Sequence, residues 1–300
     1  MTIELLSNLS LIKFSGDDAA DFLQGQFTND VKELGESNDE HNKWHFSGYC
    51  NPKGRLLVIF KLWQEGDDFY ALLDTSLVDS IIKRLRMFVM RSKVSIEHIE
   101  YAAVIGALSK QTLDNFNLSD LSVENLQHGQ LTFNKTDSIL AVKQRYLIVL
   151  KVGLDQTNNN ELGDGANWRL ANIKDGFPTL TADTTELFIP QMLNLDLLGG
   201  INFKKGCYTG QEIVARLHYL GNLKQRMFVC DLSSESECKS LPGSKIYADQ
   251  ELSKAVGTLV NIDSQYKHAL VVLRLDSIEN ELYLDDNNQI KIHFEQQHEF

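Results

Sequence analysis

One short stretch of the sequence, FKKGCYTGQE at residues 203–212, combines side chains that chemistry can use. Cys207 follows Lys204 and Lys205, and the apolar spacing further on predicts a helix that begins at Gly210. Lysine charges and the positive end of a helix dipole both favour the thiolate form of a cysteine. We therefore expect Cys207 to be the chemical centre of this stretch.

The same residues also allow a purely structural interpretation. A lone cysteine near a helix is more often a packing residue, because free cysteine is one of the most frequently buried residue types. Thr209 and Glu212 have the spacing of a helix capping box, and Glu212 and Arg216 have that of an i,i+4 ion pair. Spacing alone leaves both interpretations of Cys207 open.

The composition excludes several classes of protein. With 300 residues and 43% hydrophobic side chains, the chain can form about two or three domains with a sizeable core. Its net charge of −12 argues against a broadly basic nucleic-acid surface, so any anion contact requires a local basic patch. The start MTIELLSNLS lacks the features of a secretory signal, and no apolar run is long enough to cross a bilayer. We expect a cytoplasmic monomer without membrane contact.

The remaining cysteines are Cys50, Cys230 and Cys238. None forms a C-x-x-C pair with another, and no histidine lies at zinc-ligand spacing from any cysteine. We therefore expect free thiols and no protein-built metal site. Because these three cysteines stand in strand-like or loop segments, we expect them to react more slowly than Cys207.

Residues 203–212 must be positioned by the elements around them. The sequence predicts that these elements form α+β layers, because hairpins and helices mix without regular β-α-β units. Strands are expected at residues 44–49, 55–63, 69–73, 94–96, 103–106, 139–142 and 146–150. Helices are expected at residues 17–24, 74–90 and 110–116, and another opens at Trp168. Capping spacing occurs at Ser15–Asp18 and Ser76–Asp79, and the stripe predicted to be buried in the second helix is Leu77, Ile81, Leu85 and Phe88.

After Gly221 the pattern changes to strand-like segments separated by turns. The segments are KQRMFVCDL, KIYAD, AVGTLVNID, HALVVLRL and IKIHF. Short strands without a helix, over roughly 80 residues, are typical of a small β-barrel or sandwich. We therefore place a domain boundary at Gly221–Asn222, between residues 1–221 and a C-terminal β-barrel domain at residues 222–300.

Residues 188–217 closely resemble the signature region of the YgfZ family of folate-binding proteins, relatives of the glycine cleavage T-protein (aminomethyltransferase). The family motif K-G-C-Y-x-G-Q-E, with an arginine four residues later, is matched by Lys205, Gly206, Cys207, Tyr208, Gly210, Gln211, Glu212 and Arg216. Weaker similarity covers GDDAADFLQGQFTNDV at 16–31, CNPKGR at 50–55 and WRLANIKDGFP at 168–178. The chain is identified as a member of this family.

The resemblance implies a T-protein-like ring of three domains around a central channel that binds tetrahydrofolate or a derivative. In this arrangement residues 1–221 are the folate-binding region, formed by two intertwined α+β domains. Trp168 matches a family tryptophan linked to folate binding, and the alternative is a buried core tryptophan. Asn29 and Asp30 match a polar pair that borders the channel, and the alternative is a turn after a helix. Leu9 stands where the family has a second tryptophan, so one stacking contact is lost.

The T-protein carries a catalytic aspartate shortly after a glycine pair, at a place where this chain reads KGRLLVIF from Lys53. The side chains available there are Leu56, Leu57 and Val58, and none can accept a proton. Aminomethyl transfer is therefore disfavoured. The resemblance instead implies a role in assembly or repair of iron–sulfur clusters, in client enzymes such as those that methylthiolate tRNA.

Two alternatives remain beside that accessory role. One is a tetrahydrofolate-dependent one-carbon transferase, favoured by the shared fold. The other is direct tRNA binding by a cluster of cations, which are Lys83, Arg84, Arg86, Arg91 and Lys93. We expect Lys83, Arg84 and Arg86 to form an anion patch for a folate polyglutamate tail or an RNA backbone, unless they only solvate a helix face.

Overall fold

The computed structural model of this chain describes residues 3–36, 44–109, 131–134, 145–150, 162–233, 240–284 and 291–294. Within them the α-helices are α1 (Ala19–Gln24), α2 (Val78–Val89), α3 (Ala166–Lys174) and α4 (Gln211–Leu220). The strands form three antiparallel groups. None of the helices in the described ranges is long and apolar enough to cross a membrane.

The first group of strands is a five-stranded sheet. Its members are β2 (Leu9–Ser15), β3 (Trp44–Cys50), β4 (Leu56–Glu65), β5 (Asp68–Asp74) and β6 (Ser95–His98), in the order β3-β4-β5-β2-β6. One face shares a core with apolar residues of α1 and α2. The opposite face, which carries Leu11, Trp63 and Tyr70, packs with the second group. Burial on both faces explains why β4 is a nearly continuous apolar run.

The second group is a smaller sheet that supports α3. It contains β1 (Ile3–Leu5), β7 (Ala103–Ala107), β8 (Leu131–Asn134) and β9 (Tyr146–Leu150), in the order β1-β7-β9-β8. The start of α3 is held by the fully buried Glu4, whose carboxylate accepts the Gly165 N–H at 2.9 Å and the Asn167 side-chain amide at 2.8 Å. A Cβ on Gly106 would lie 2.5 Å from the Trp168 ring, so this glycine allows α3 to lie close to the sheet.

The third group is a closed barrel. Its strands are β10 (Gln225–Ser233), β11 (Lys245–Tyr247), β12 (Ala255–Ile262), β13 (His268–Arg274), β14 (Leu282–Leu284) and β15 (Lys291–Phe294), in the order β10-β13-β12-β11-β14-β15. Arg226 joins it to the segment before α4 through two bonds to Asp196 at 3.0 and 2.9 Å. Asn261 exchanges two hydrogen bonds with the backbone of Thr179. The barrel is thus attached at two points to the stretch of chain between α3 and α4.

The mixture of helices and antiparallel sheets is the α+β class predicted from the sequence, and the C-terminal strands curl into a barrel as expected. The predicted strand at 139–142 and the predicted helix at 110–116 lie outside the described residues. Sequence analysis missed β1, β8 and β14, which have three or four residues, too few to show alternation. It also missed most of the seven-residue β2. The division at 221/222 and the three-domain ring stay predictions.

Two predicted helix caps are wrong. The carboxylate of Asp18 accepts the Lys93 N–H at 2.7 Å and does not cap α1. Asp74, and not Ser76, caps the turn before α2, since its carboxylate accepts the Ser76 N–H at 3.1 Å. Phe88 is 42% exposed, so the buried stripe of this helix ends one turn earlier than predicted.

Candidate functional site

The signature loop, defined here as residues 202–210, leads into α4 and packs against the turn between β3 and β4. Gly210 has a φ of +83°, and a Cβ there would lie 2.5 Å from the carbonyl oxygen of Asn51. Gly54 in the facing turn has a φ of +71°, and its Cβ would lie 2.8 Å from that of Ile213. The motifs CNPKGR and KGCYTGQE therefore meet at two glycines, since only glycine combines a left-handed backbone with so close an approach.

The start of α4 is held by a different bond from the predicted one. The helix N-cap is Gly210, which has no side chain to cap with, so the T-x-x-E box does not form. Instead Oε1 of Gln211 accepts the Tyr208 N–H at 2.9 Å. Glu212 and Arg216, both within the described residues, are exposed and form no ion pair with each other. The capping box and the ion pair predicted from spacing are wrong, and Gln211 stabilises the turn.

Lys205 fastens the signature loop to the segment after α1. Its Nζ donates to the carbonyl oxygens of Phe27 at 2.6 Å and Asn29 at 2.7 Å, and it lies 5.3 Å from the centroid of the Tyr208 ring. Burial lowers the pKa of Lys205 to about 8, although the charge of Asp30 acts in the opposite direction. This lysine is a tether between two distant parts of the chain.

Cys207 is presented to solvent by this tethered loop. Its thiol is exposed, and a Cβ on the neighbouring Gly206 would meet open space. Cys50 and Cys230 are buried, and burial raises the pKa of both thiols. Cys238 lies outside the described residues. Among the described cysteines a reagent reaches Cys207 most easily, and its reactivity stays a prediction.

Asn29 and Asp30, the polar pair predicted to border a folate channel, are held by protein partners. The amide nitrogen of Asn29 donates to the carbonyl oxygens of Phe46 at 2.9 Å and Gly199 at 2.7 Å, and its Oδ1 accepts the Asp30 N–H. The Asp30 carboxylate accepts the side-chain amide of Gln24 at 3.0 Å. Asn29 is therefore a buried structural residue whose hydrogen bonds link β3 to the segment before the signature loop.

A second group, the tryptophan recess, comprises Phe46, Lys61, Arg145, Trp168 and Phe177. Its members come from β3, β4, the residue before β9, α3 and the segment after α3. Trp168 is 5% exposed, and its buried indole N–H has no hydrogen-bond partner among the residues that the structure describes. The ring centroids of Phe46 and Phe177 lie 5.4 Å apart. Residues far apart in the sequence thus form a largely apolar group that contains cations.

Arg145 lies between two rings of the recess. Its guanidinium carbon is 5.0 Å from the centroid of Trp168 and 5.3 Å from that of Phe177. It forms an ion pair with Asp175 at 2.5 Å and donates to the side-chain oxygen of Asn172 at 2.7 Å. Burial lowers the pKa of Arg145, while the charge of Asp175 opposes that effect. Arg145 therefore covers much of the ring that was predicted to contact a pterin.

Lys61 is the second cation of the recess. It pairs with Phe46 across β3 and β4, and its Nζ lies 5.5 Å from the centroid of that ring. Burial, and secondly the charge of Arg145, lower the pKa of Lys61 to about 8. Part of the side chain stays accessible, and within the described part of the chain its ammonium has no hydrogen-bond or ion-pair partner. A largely enclosed cation without a counter-charge favours an anionic ligand.

The predicted anion patch does not form a single face. Lys83 is exposed, whereas the guanidinium of Arg84 lies 6.0 Å from the centroid of the Tyr49 ring, and Arg84 is half-buried. Arg86 donates to the backbone carbonyl of Ile96 at 2.8 Å. The structure separates Arg84 from Lys83 and Arg86 because on a helix Lys83 points about 100° and Arg86 about 160° away from it.

The predicted site residues fall into two groups. The signature residues meet Asn29 and Asp30 through Lys205, whereas Trp168 stands in the recess. Sequence reasoning missed Lys61, although a lysine inside the apolar run LLVIFKLW was a usable signal, since a charge in a buried strand requires a partner or a role. Arg145 and Phe177 gave no such signal, because their neighbours are remote in the sequence.

Comparison with known proteins identifies the relatives of this chain. No protein-family model matches it. The tRNA-modifying protein YgfZ of Colwellia psychrerythraea is 32% identical over 241 residues, which cover 78% of this chain and 73% of that protein. The protein of the same name from Aliivibrio fischeri is 32% identical over 301 residues, which cover 97% of this chain and 88% of that protein.

A solved structure agrees in fold. The crystal structure of glycine cleavage system aminomethyltransferase T from Bartonella henselae matches with a TM-score of 0.62 and 13% identity, over 97% of this chain and 83% of that chain. At that identity the likeness concerns the fold alone. The sequence similarity to the protein of Aliivibrio fischeri extends over nearly the whole chain. The chain belongs to the YgfZ family.

Proposed function

We propose that this protein binds a tetrahydrofolate and supports the assembly or repair of iron–sulfur clusters in specific enzymes, and thereby tRNA modification. The shared name of the relatives, tRNA-modifying protein YgfZ, supports the last part. The client enzymes would include tRNA methylthiotransferases, as the family resemblance implies. The observation that carries the proposal is an exposed Cys207 on a loop that is held in place by the hydrogen bonds of Lys205 and Gln211.

The surroundings of Cys207 support a chemical role for the thiol. The loop is fixed before it by the Lys205 tether and after it by the Gly210 contact and the Gln211 bond. A cysteine kept for packing would be buried, whereas this one projects from a braced backbone. An accessible thiolate can hold a sulfur, an iron ion or a one-carbon group transiently.

The chemistry of the tryptophan recess fits a folate. A folate joins an aromatic pterin and a benzoyl ring to glutamate carboxylates, and when bound it supplies a carrier of one-carbon groups. The recess offers aromatic rings together with the unpartnered N–H groups of Trp168 and Arg145 and the free ammonium of Lys61, counted among the described residues. We infer that this recess lines the central channel of a three-domain ring.

An aminomethyl-type transferase is the alternative, and no contact of the described residues 53–58 favours it. At the place that corresponds to the T-protein carboxylate, Leu56, Leu57 and Val58 are all buried, at 0%, 7% and 1% exposure. Buried apolar side chains cannot orient an amine or accept its proton.

The test is a deletion strain profiled for methylthiolated tRNA nucleosides by mass spectrometry and for the activity of iron–sulfur enzymes. Both should fall in the deletion strain and return with the wild-type gene. Calorimetry with tetrahydrofolate tests the ligand separately, and a gel-shift assay with tRNA tests direct contact. Normal tRNA methylthiolation and normal cluster-enzyme activity in the deletion strain would exclude the proposed function.

A further inference from the structure

The tryptophan recess carries more positive than negative charge. Lys61 lies 5.5 Å from the ring centroid of Phe46 and Arg145 lies 5.3 Å from that of Phe177, and these two rings are 5.4 Å apart, so the two cations stand on neighbouring rings. Asp175 is paired with Arg145, and no acidic group among the described residues acts on Lys61 in the same way. One positive charge is therefore left without a counter-charge in a largely enclosed place, which is destabilising unless a ligand compensates it.

Donor groups in the recess also lack acceptors. Arg145 uses its two terminal nitrogens on Asn172 and Asp175, but its buried Nε has no partner within the described ranges of the chain. The indole N–H of Trp168 is likewise buried and unpartnered. Buried donors in native proteins are nearly always satisfied. A ligand that brings oxygen acceptors and a negative charge together would satisfy these groups and Lys61 at once.

We propose that Lys61 and Arg145 bind a carboxylate of the glutamate moiety of the folate, so that the recess holds the charged end of the ligand. This inference rests on the proposed folate function. The pterin ring offers acceptors but no negative charge, whereas the glutamate offers both. Lysine and arginine form short, charge-assisted hydrogen bonds with carboxylates.

Trp168 becomes a positioning residue in this arrangement. Arg145 lies over its ring at 5.0 Å, Gly106 lies against the ring, and only 5% of the residue is exposed. Little of the ring surface is left for a pterin. The indole instead holds the guanidinium by a cation–π interaction.

The experiment compares tetrahydrofolate with tetrahydropteroate, which lacks the glutamate, by calorimetry at pH 7. Wild-type protein should bind tetrahydrofolate about 10- to 100-fold more tightly, as expected for a charge-assisted bond. Lys61→Met should abolish that difference, because it should lower the affinity for tetrahydrofolate only. Lys13→Met is the matched control, because Lys13 is a half-buried lysine of the same sheet that already has Asp68 as a partner at 2.7 Å.

Thermal unfolding distinguishes a structural role of Lys61 from a role in ligand binding. Lys61→Met should not lower the melting temperature, because methionine replaces an unpaired, largely enclosed cation. If Lys61→Met lowers the affinity for both ligands equally, Lys61 is not the carboxylate partner and the inference is wrong. The same holds if the variant has a lower melting temperature and the wild type binds the two ligands with the same affinity. The folate function would survive that result.

The fragment p-aminobenzoylglutamate separates the inference from the proposed function. If it binds the wild type and not Lys61→Met while neither pterin ligand binds, the carboxylate site stands and the folate function fails. If none of the three ligands binds, both fail. The pH dependence of binding is a further test. Because the pKa of Lys61 is lowered to about 8, this lysine loses its charge as the pH rises. Tetrahydrofolate affinity should therefore fall between pH 7 and pH 9 in the wild type and stay level in Lys61→Met.

Discussion

The signature loop and the tryptophan recess are built in opposite ways. The loop is one continuous stretch, and its partners are mainly backbone groups, as in the bonds from Lys205 to the carbonyl oxygens of Phe27 and Asn29. The recess is assembled from five separate segments through side chain to side chain contacts, with Arg145 between the rings of Trp168 and Phe177. The loop exposes its thiol, whereas the recess buries Arg145 and leaves only part of Lys61 accessible.

This difference separates two physical tasks. A group that must meet a partner protein or a reagent has to project, so its backbone is braced and its side chain is left free. A group that must hold a charged ligand gains from exclusion of water, because electrostatic attraction is stronger in a low dielectric. Asn29 connects the two regions, since its carbonyl accepts from Lys205 and its amide donates to Phe46.

The largest expected effect comes from Cys207→Ala. The variant should fold like the wild type, because an exposed thiol is replaced by a methyl group and no cavity forms. It should fail to restore iron–sulfur enzyme activity and tRNA methylthiolation in the deletion strain. Complementation assays with matched expression levels measure this.

Cys230→Ala is the control for that variant. The thiol of Cys230 is buried in the barrel, so its removal should lower the free energy of unfolding by about 1 kcal/mol and leave complementation intact. Full complementation by Cys207→Ala would show that the loop has no chemical centre. The contrast with the recess would then disappear.

Trp168→Ala should affect fold and ligand together. Its ring fills the space between Gly106 and Arg145, so truncation should lower the free energy of unfolding by about 3–5 kcal/mol. Folate affinity should fall as well, because the guanidinium loses its support. Urea denaturation and calorimetry measure the two effects. Lost folate binding at unchanged stability would instead make Trp168 a direct ligand contact, as the family resemblance implies.

The loop was predictable from the sequence to a larger extent than the recess. Glycines with positive φ and a cysteine beside lysines leave a local pattern, so the place of Cys207 and the start of α4 followed from residue types. The recess depends on contacts between distant segments, and Arg145 and Phe177 leave no local pattern. Even in the loop, tertiary contacts changed the roles, because Lys205 turned inward to backbone carbonyls.

The main strands were predictable for a similar reason. β3, β4 and β5 are apolar runs bounded by turn residues, and their predicted bounds agree with the observed ones to within about two residues, which is the usual uncertainty of strand ends. Helix caps were less predictable, because several polar residues near a helix start compete for the same N–H groups. At α2 the competition was decided in favour of Asp74.

Gly210→Ala and Gly206→Ala test how rigid the loop is. Alanine at 210 must adopt a φ near +83° and approaches the Asn51 oxygen, so the free energy of unfolding should fall by about 2 kcal/mol or more. Alanine at 206 meets open space, and its effect should be within about 0.5 kcal/mol. Chemical denaturation of both variants measures the two free energies of unfolding. Equal effects would mean that the loop is not packed against the β3–β4 turn.

The smallest effects distinguish the two candidate caps of α4. Gln211→Ala removes the acceptor of the Tyr208 N–H, so it should lower the free energy of unfolding by about 0.5–2 kcal/mol, the range of a lost cap. Glu212 is exposed and does not cap, so Glu212→Ala should lose less than about 0.5 kcal/mol, through a weak interaction with the helix dipole. Glu212→Gln removes the same charge, so its loss should be similar to that of Glu212→Ala. Denaturant titrations at low salt resolve these differences. A larger loss for Glu212→Ala than for Gln211→Ala would restore the capping box that the spacing predicted, and the bracing of the loop would then depend on the signature acid.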